Sequence, residues 1–295
     1  MKKKGFLFFS VLALCLVCLT GCGTAKVEPQ TVKVAALSGP TGMGMAQMIT
    51  DGVNLGDGVT TEFTVATAPD QLVSQVINGD YQIAALPTNT AATLYKKTNG
   101  AIELGAVNTL GTLSIVSKKE EKITSIKDLK GKTIVATGQG SSPEYVLNYL
   151  LSKNGLTPGT DVTIEWLGEH SEAAAKLSSG EASIAMLPEP FATTTLAQNS
   201  DLEKSVDLSK AWEDAAGGVK LEMGCVVVNK EWAEKNPAVV KAFMKAYKKS
   251  VETINKADET AGNYVVSAGI MQKSELAQKA MPNSAITFIN PSEAK

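Results

Sequence analysis

The sequence predicts an α/β fold of two similar lobes joined by two hinge strands, and three observations carry that expectation. The chain repeats itself: residues 31–94 laid over 132–195 without a gap pair Val34 with Val135, Gly39 with Gly140 and Gly79 with Gly180. The same alignment pairs Ile83, Ala84, Leu86 and Pro87 with Ile184, Ala185, Leu187 and Pro188. Each copy alternates short β-rich runs with helical patterns, which points to right-handed βαβ units around a mainly parallel sheet. Two further β-rich runs, Thr112–Ser117 and Glu222–Asn229, lie where the chain must pass from one lobe to the other and back.

In the first copy, strands are expected over 32–37, 62–66 and 81–86, with helices over 41–51 and 70–78. The second copy has strands over 133–137, 162–167 and 182–187, with helices over 143–154 and 172–179. The helix over 143–154 is the best defined. Val146, Leu147, Leu150 and Leu151 form one apolar stripe, and Ser142 before Pro143 offers an N-cap followed by proline at the first helical position. The pattern over 237–255 places Val240, Phe243, Met244, Tyr247, Val251 and Ile254 on one face, which should pack back on the first lobe. Lobe one is therefore expected over 31–117 plus 225–295, and lobe two over 118–224.

Composition excludes several classes of function. The chain has 28 basic and 30 acidic residues, a net charge of −2, and every basic residue is lysine. No basic face for nucleic acid is implied, and Lys241, Lys245, Lys248 and Lys249 at helical spacing read as a solvated helix face. The absence of arginine removes the usual bidentate fork for carboxylate and phosphate. Cys225 sits in the apolar run Cys225–Val228 and reads as a buried thiol. With His170 the single histidine, no zinc site of the usual His/Cys kind is left, and no cofactor is expected.

The N-terminus opens with Lys2, Lys3 and Lys4 and continues as an apolar run from Phe6 to Leu19, interrupted only by Ser10. A bilayer core takes about 20 apolar residues, so the run suits a secretory signal better than a permanent span. It closes on Leu19, Thr20, Gly21 and Cys22, and here it resembles the bacterial lipoprotein precursors, which are cut before the cysteine. That resemblance implies a signal peptide over 1–21 and a diacylglyceryl group on the sulfur of Cys22. A tether over 22–30 would then hold the folded part outside the cytoplasmic membrane, since two acyl chains are enough for stable anchoring.

Five segments carry a second resemblance: the lipobox, Lys33–Gly44, Gly79–Leu94, Gly131–Leu147 and Leu187–Thr193. In this order they are similar to the substrate-binding lipoproteins of ABC importers, and more closely to the nitrate, sulfonate, taurine and pyrimidine-precursor binding group. The likeness runs from Val32 to Asn290. It implies a type II periplasmic-binding-protein fold, a monomer that closes over a small-molecule solute and docks on a membrane permease powered by an ATPase. The family generally continues beyond a segment like 286–295, a departure that bears on the outer packing of lobe one.

In open α/β sheets, ligands sit beyond the carboxyl ends of the strands, against free N–H groups at helix N-termini. The loops there offer Ser38, Gly39, Thr41 and Gly42; Thr88, Asn89 and Thr90; Gln139, Gly140, Ser141 and Ser142; and Glu189. Each could serve only a cap or turn, so the expectation rests on their convergence on one cleft. Glu189 suits a ligand amine or an aminopyrimidine, or is a solvated residue of a first helical turn. Trp166 and Phe191 could stack on a flat ring, although Trp166 shares the strand face of Ile164 and suits the core. Glu169–Glu172 invites a reading of His170 as a catalytic base, but no Gly-x-Ser-x-Gly elbow accompanies it; a helix-capping role suits it better. The expected function is capture of a small organic solute, of the sulfonate, taurine-like or pyrimidine-precursor class, for import, without catalysis. The alternatives are a lipoprotein enzyme on the same scaffold and a sensor that signals through a partner.

Overall fold

The computed structural model describes residues 29–294; the signal segment, Cys22 and the tether as far as Glu28 lie outside them. In chain order, β1 (Gln30–Leu37) leads through α1 (Pro40–Met43) and α2 (Ala46–Asp51) to β2 (Val59–Ala66). Next come α3 (Asp70–Asn78), β3 (Ile83–Pro87), α4 (Thr88–Lys97) and β4 (Ile102–Leu110). The chain then crosses to β5 (Leu113–Lys118), β6 (Thr133–Thr137), α5 (Ser142–Lys153), β7 (Thr163–Leu167) and α6 (His170–Ser179). β8 (Ile184–Pro188), α7 (Phe191–Gln198), β9 (Leu202–Asp207) and α8 (Leu208–Ala215) follow. It returns through β10 (Glu222–Asn229), α9 (Lys230–Lys235), α10 (Pro237–Ile254), α11 (Glu259–Ser267), α12 (Ser274–Ala280) and β11 (Ile286–Ile289).

Two sheets result, ordered β11-β4-β10-β3-β1-β2 and β7-β6-β8-β5-β9. The repeated units supply the parallel strands: β2, β1 and β3 in one sheet, and β7, β6 and β8 in the other. Strand β1 shows why the pattern reads as a strand. Val32, Val34 and Ala36 enter one core cluster, while Ala35 and Leu37 enter the cluster on the opposite face, as a period of two dictates. At the sheet edge, β2 alternates instead, with Thr60, Glu62 and Thr64 exposed.

The expected hinge strands are interior strands of the sheets. β5 lies between β8 and β9 in the second sheet, and β10 lies between β3 and β4 in the first, each antiparallel to its neighbours. Residues 113–117 therefore pair with the second lobe, not the first, and the chain has re-entered the first sheet by Glu222 rather than residue 225. The reason is hydrogen bonding. Leu113–Ser117 and Gly224–Val228 are buried throughout, and a buried strand needs partners on both edges. The crossings themselves are short, at 111–112 and 216–221, and they lie side by side: a Cβ added to Gly111 would stand 3.1 Å from Leu221 Cδ2.

The helix expected over 41–51 is broken into α1 and α2 at Gly44 and Met45. A Cβ on Gly42 would overlap the Leu37 carbonyl oxygen, and one on Gly44 would lie 2.8 Å from the Tyr247 hydroxyl. Both glycines let backbone pack where a side chain could not. α5 buries Val146, Leu147, Leu150 and Leu151 as its stripe requires. Its N-cap position is held by Ser141, however, with Ser142 first in the helix and Pro143 second; the Ser141 hydroxyl donates to the Gly138 carbonyl at 2.7 Å instead of capping. α10 packs on the first lobe through Val239, Phe243, Tyr247, Val251 and Ile254. Val239 takes the inward place expected of Val240, which is half-buried beside Met244. Trp166 packs against the core of the second lobe with Ile164. Among the described residues, no helix is long and apolar enough to cross a membrane.

Candidate functional site

The carboxyl ends of the parallel strands in both lobes open on one cleft of about 500 Å3. The first lobe lines it with the loop after β1, the turn after β2 and the start of α4. The second lobe contributes the loops after β6, β7 and β8, and Thr112, Leu113 and Met223 lie where the crossings meet.

Of the residues expected there, Ser38, Gly39, Thr41, Asn89, Thr90, Ser141, Ser142 and Glu189 line the cleft. Four do not. Gly42 is a packing residue beneath β1. The Thr88 hydroxyl turns away and donates to the Glu222 carbonyl at 2.9 Å. Gln139 is exposed outside the cleft wall, and the Gly140 N–H is taken by the Glu144 carboxylate at 2.6 Å. In each case the residue lies in a loop beside the cleft, and its neighbours decide its direction within that loop.

The cleft also holds residues that the reading of strand ends passed over. Thr67 and Glu169 sit after the second strand of each copy, so the rule that found Ser38 and Ser141 reaches them too. Met223 and Ile270 carry no such signal, because they arrive from the start of β10 and from the loop between α11 and α12. His170 begins α6, but it does not cap it. Its Nδ1 is hydrogen-bonded to the Thr137 hydroxyl, and its ring lies 5.4 Å from that of Phe191, tilted by 48°. Burial pulls the His170 pKa below its ordinary value, partly opposed by the charge of Glu169.

Glu189 is the least solvated charge of the site. It is 4% exposed, so the expectation of a solvated first-turn glutamate is overturned: the side chain lies between the cleft and α7. Its Oε2 accepts the Thr193 N–H at 3.2 Å. Burial pushes its carboxyl pKa up, with the Thr193 hydrogen bonds and the charge of Lys204 acting the other way. Lys204 itself pairs with Asp207 at 3.3 Å. Among the described residues, no lysine lines the cleft.

The remaining polar wall is short of partners. The side chains of Ser38, Thr41, Asn89, Thr90 and Ser142 make no hydrogen bond among the described residues. α4, α5 and α6 start at the cleft without a side-chain cap, leaving N–H groups and partial positive charge directed at it. The arrangement can take a small polar molecule, with acceptors against the helix ends and donors against Glu189. No cluster of three or more His, Cys, Asp or Glu suited to a metal occurs among the described residues. Cys225 is buried within β10, with its thiol pushed up to about 12 by burial, which leaves it unreactive.

A family described as ABC transporter, phosphonate, periplasmic substrate-binding protein matches residues 45–259. No curated protein sequence matches the chain. Among solved structures, the chain is similar to an ABC transporter protein from Parabacteroides distasonis, with 24% identity, a TM-score of 0.76, and coverage of 90% of this chain and 88% of that one. It is also similar to the periplasmic aliphatic sulphonate binding protein SsuA from Escherichia coli, with 16% identity, a TM-score of 0.73 and coverage of 90% and 89%. The periplasmic nitrate-binding protein NrtA from Synechocystis shares 13% identity at a TM-score of 0.64, with coverage of 91% and 76%. These structural likenesses establish the two-lobed binding-protein fold, and the family match covers most of the chain. The chain belongs to the phosphonate family of ABC-transporter periplasmic substrate-binding proteins.

Proposed function

We propose that this chain is the lipid-anchored capture component of an ABC importer. It takes a small organic solute bearing N–H donors, of the taurine-like or pyrimidine-precursor kind, in the interlobe cleft and delivers it to the permease. The observation that carries the reading is Glu189, a carboxylate 4% exposed in a cleft without lysine. A bare sulfonate or phosphonate would meet that charge with no lysine among the described lining residues to offset it. An ammonium or an aminopyrimidine supplies the donor that the carboxylate lacks, and its acceptor end suits the uncapped starts of α4, α5 and α6. Micromolar affinity needs about 8 kcal/mol, while a neutral hydrogen bond supplies about 1 and a charged one about 1.5–3. Five unpartnered side chains, Glu189 and the ring of Phe191 together reach that range.

Catalysis draws no support from the one histidine. The hydroxyl paired with His170 belongs to Thr137, which is 2% exposed and does not line the cleft. The anchor reading rests on Lys2–Lys4, the apolar run and Cys22. Calorimetry against taurine, 2-aminoethylphosphonate, an aminomethylpyrimidine, ethanesulfonate and methylphosphonate tests the solute class. Binding of an amine-bearing compound with no measurable binding of its amine-free partner is the expected result; the reverse order would refute the assignment of Glu189.

A further inference from the structure

The start of the described chain is fixed against one end of α10. Gln30 accepts the Trp232 indole N–H at 2.9 Å and donates to the Asn236 side chain at 2.7 Å, and Asn236 precedes the first residue of α10. Pro29 stands against Gly58, so anything attached upstream of it leaves the protein where this turn and the N-terminal end of α10 lie near each other. From there α10 carries Lys241, Lys245, Lys248 and Lys249 outward, all exposed and none ion-paired among the described residues. At 100° per residue they occupy an arc of roughly 100°, opposite the buried stripe of Phe243, Tyr247 and Val251. Glu252 is the single acidic residue of the helix, and Lys256 follows just beyond its end.

Lengths make the lysine row reachable from the anchor. Residues 22–28 span at most roughly 25 Å when extended, and Lys249 lies roughly 18 Å along the helix from Pro237. A protein held by Cys22 thus keeps this face within reach of the membrane that holds it. We propose that the lysine face of α10 rests on the anionic phospholipid surface of the anchoring membrane. This orients the first lobe there and leaves the second lobe free to move. The proposal rests on the lipid-anchor reading. Its physical content is charge complementarity: each lysine near an anionic surface is attracted by about 1 kcal/mol, a factor of roughly five. α10 packs on the first lobe alone, so the contact would not restrain closure of the cleft.

The test uses the full, lipidated chain on phosphatidylcholine vesicles with and without phosphatidylglycerol, and reads acetylation of individual lysines by mass spectrometry. Lys241, Lys245, Lys248 and Lys249 should react roughly fivefold more slowly on the anionic vesicles, with Lys153 and Lys210 of the second lobe unchanged. About 1 M salt, where the Debye length is about 3 Å, should abolish the protection. Lys245→Glu with Lys248→Glu should remain anchored and lose the protection of Lys241 and Lys249. Equal reactivity on both vesicles, for protein that stays bound, overturns the proposal alone. Release of the protein from both kinds of vesicle overturns the anchor reading and the proposal with it.

Discussion

Replacing Glu189 with glutamine separates the cost of burying this carboxylate from its use. In the ligand-free protein, burial raises the pKa of Glu189, so the folded state favours the protonated form. Stability from this group is fully present below the unfolded pKa, near 4.3, and is lost as pH rises through the higher folded value. Glutamine removes the penalty and keeps a carbonyl for the Thr193 N–H, 3.2 Å away. Ligand-free Glu189→Gln should therefore melt above the parent at pH 7.5 and level with it near pH 4. Each kcal/mol regained corresponds to roughly 2–4 °C in a domain of this size. Affinity should move in the opposite direction. A hydrogen bond to a charged partner is worth about 1.5–3 kcal/mol, so calorimetry with an amine-bearing solute should show binding weakened by about 10- to 150-fold. The comparison of variant with parent isolates Glu189 from Asp207 and His170, which titrate in both. A variant that binds an amine-free sulfonate or phosphonate more tightly, or that melts below the parent at pH 7.5, would refute the reasoning.

Further outcomes follow from single contacts. His170 has a pKa lowered mainly by burial, so its neutral form stabilises the fold above about pH 6.5 and that stability is lost as pH falls; thermal melts of His170→Gln from pH 7.5 to 5 should depend less on pH than those of the parent. Asn89 makes no side-chain hydrogen bond, so Asn89→Ala should leave the melting temperature unchanged and weaken solute binding by about 1 kcal/mol in calorimetry. Gly42→Ala forces a methyl into the Leu37 carbonyl and should cost about 1–3 kcal/mol or more in denaturant unfolding, although the residue does not touch the cleft. Cys22→Ser should move the protein from the membrane fraction to the medium or periplasm on fractionation, since no described helix can span a bilayer.

The sequence by itself determined the parts of this protein that obey a local period or a repeat. The parallel strands, the buried stripe of α5 and the correspondence of Gly79 with Gly180 at two left-handed helix ends were legible because each depends on a few consecutive residues. So did the location of the strand-end loops, because chain direction in a βαβ unit places them on one edge of the sheet. Tertiary structure decided what depends on a neighbour distant in sequence. Gly42 and Thr88 lie in strand-end loops beside the cleft, yet Leu37 and the Glu222 carbonyl take them out of it. Glu189 reads equally as a cleft carboxylate or a solvated first-turn residue until its burial and the Thr193 N–H of α7 decide between them. The runs at 112–117 and 222–229 read as connectors, but strands buried on both faces must find hydrogen bonds on both edges. Only the assembled sheets supply those partners, which is why the crossings shrink to a few residues at 111–112 and 216–221.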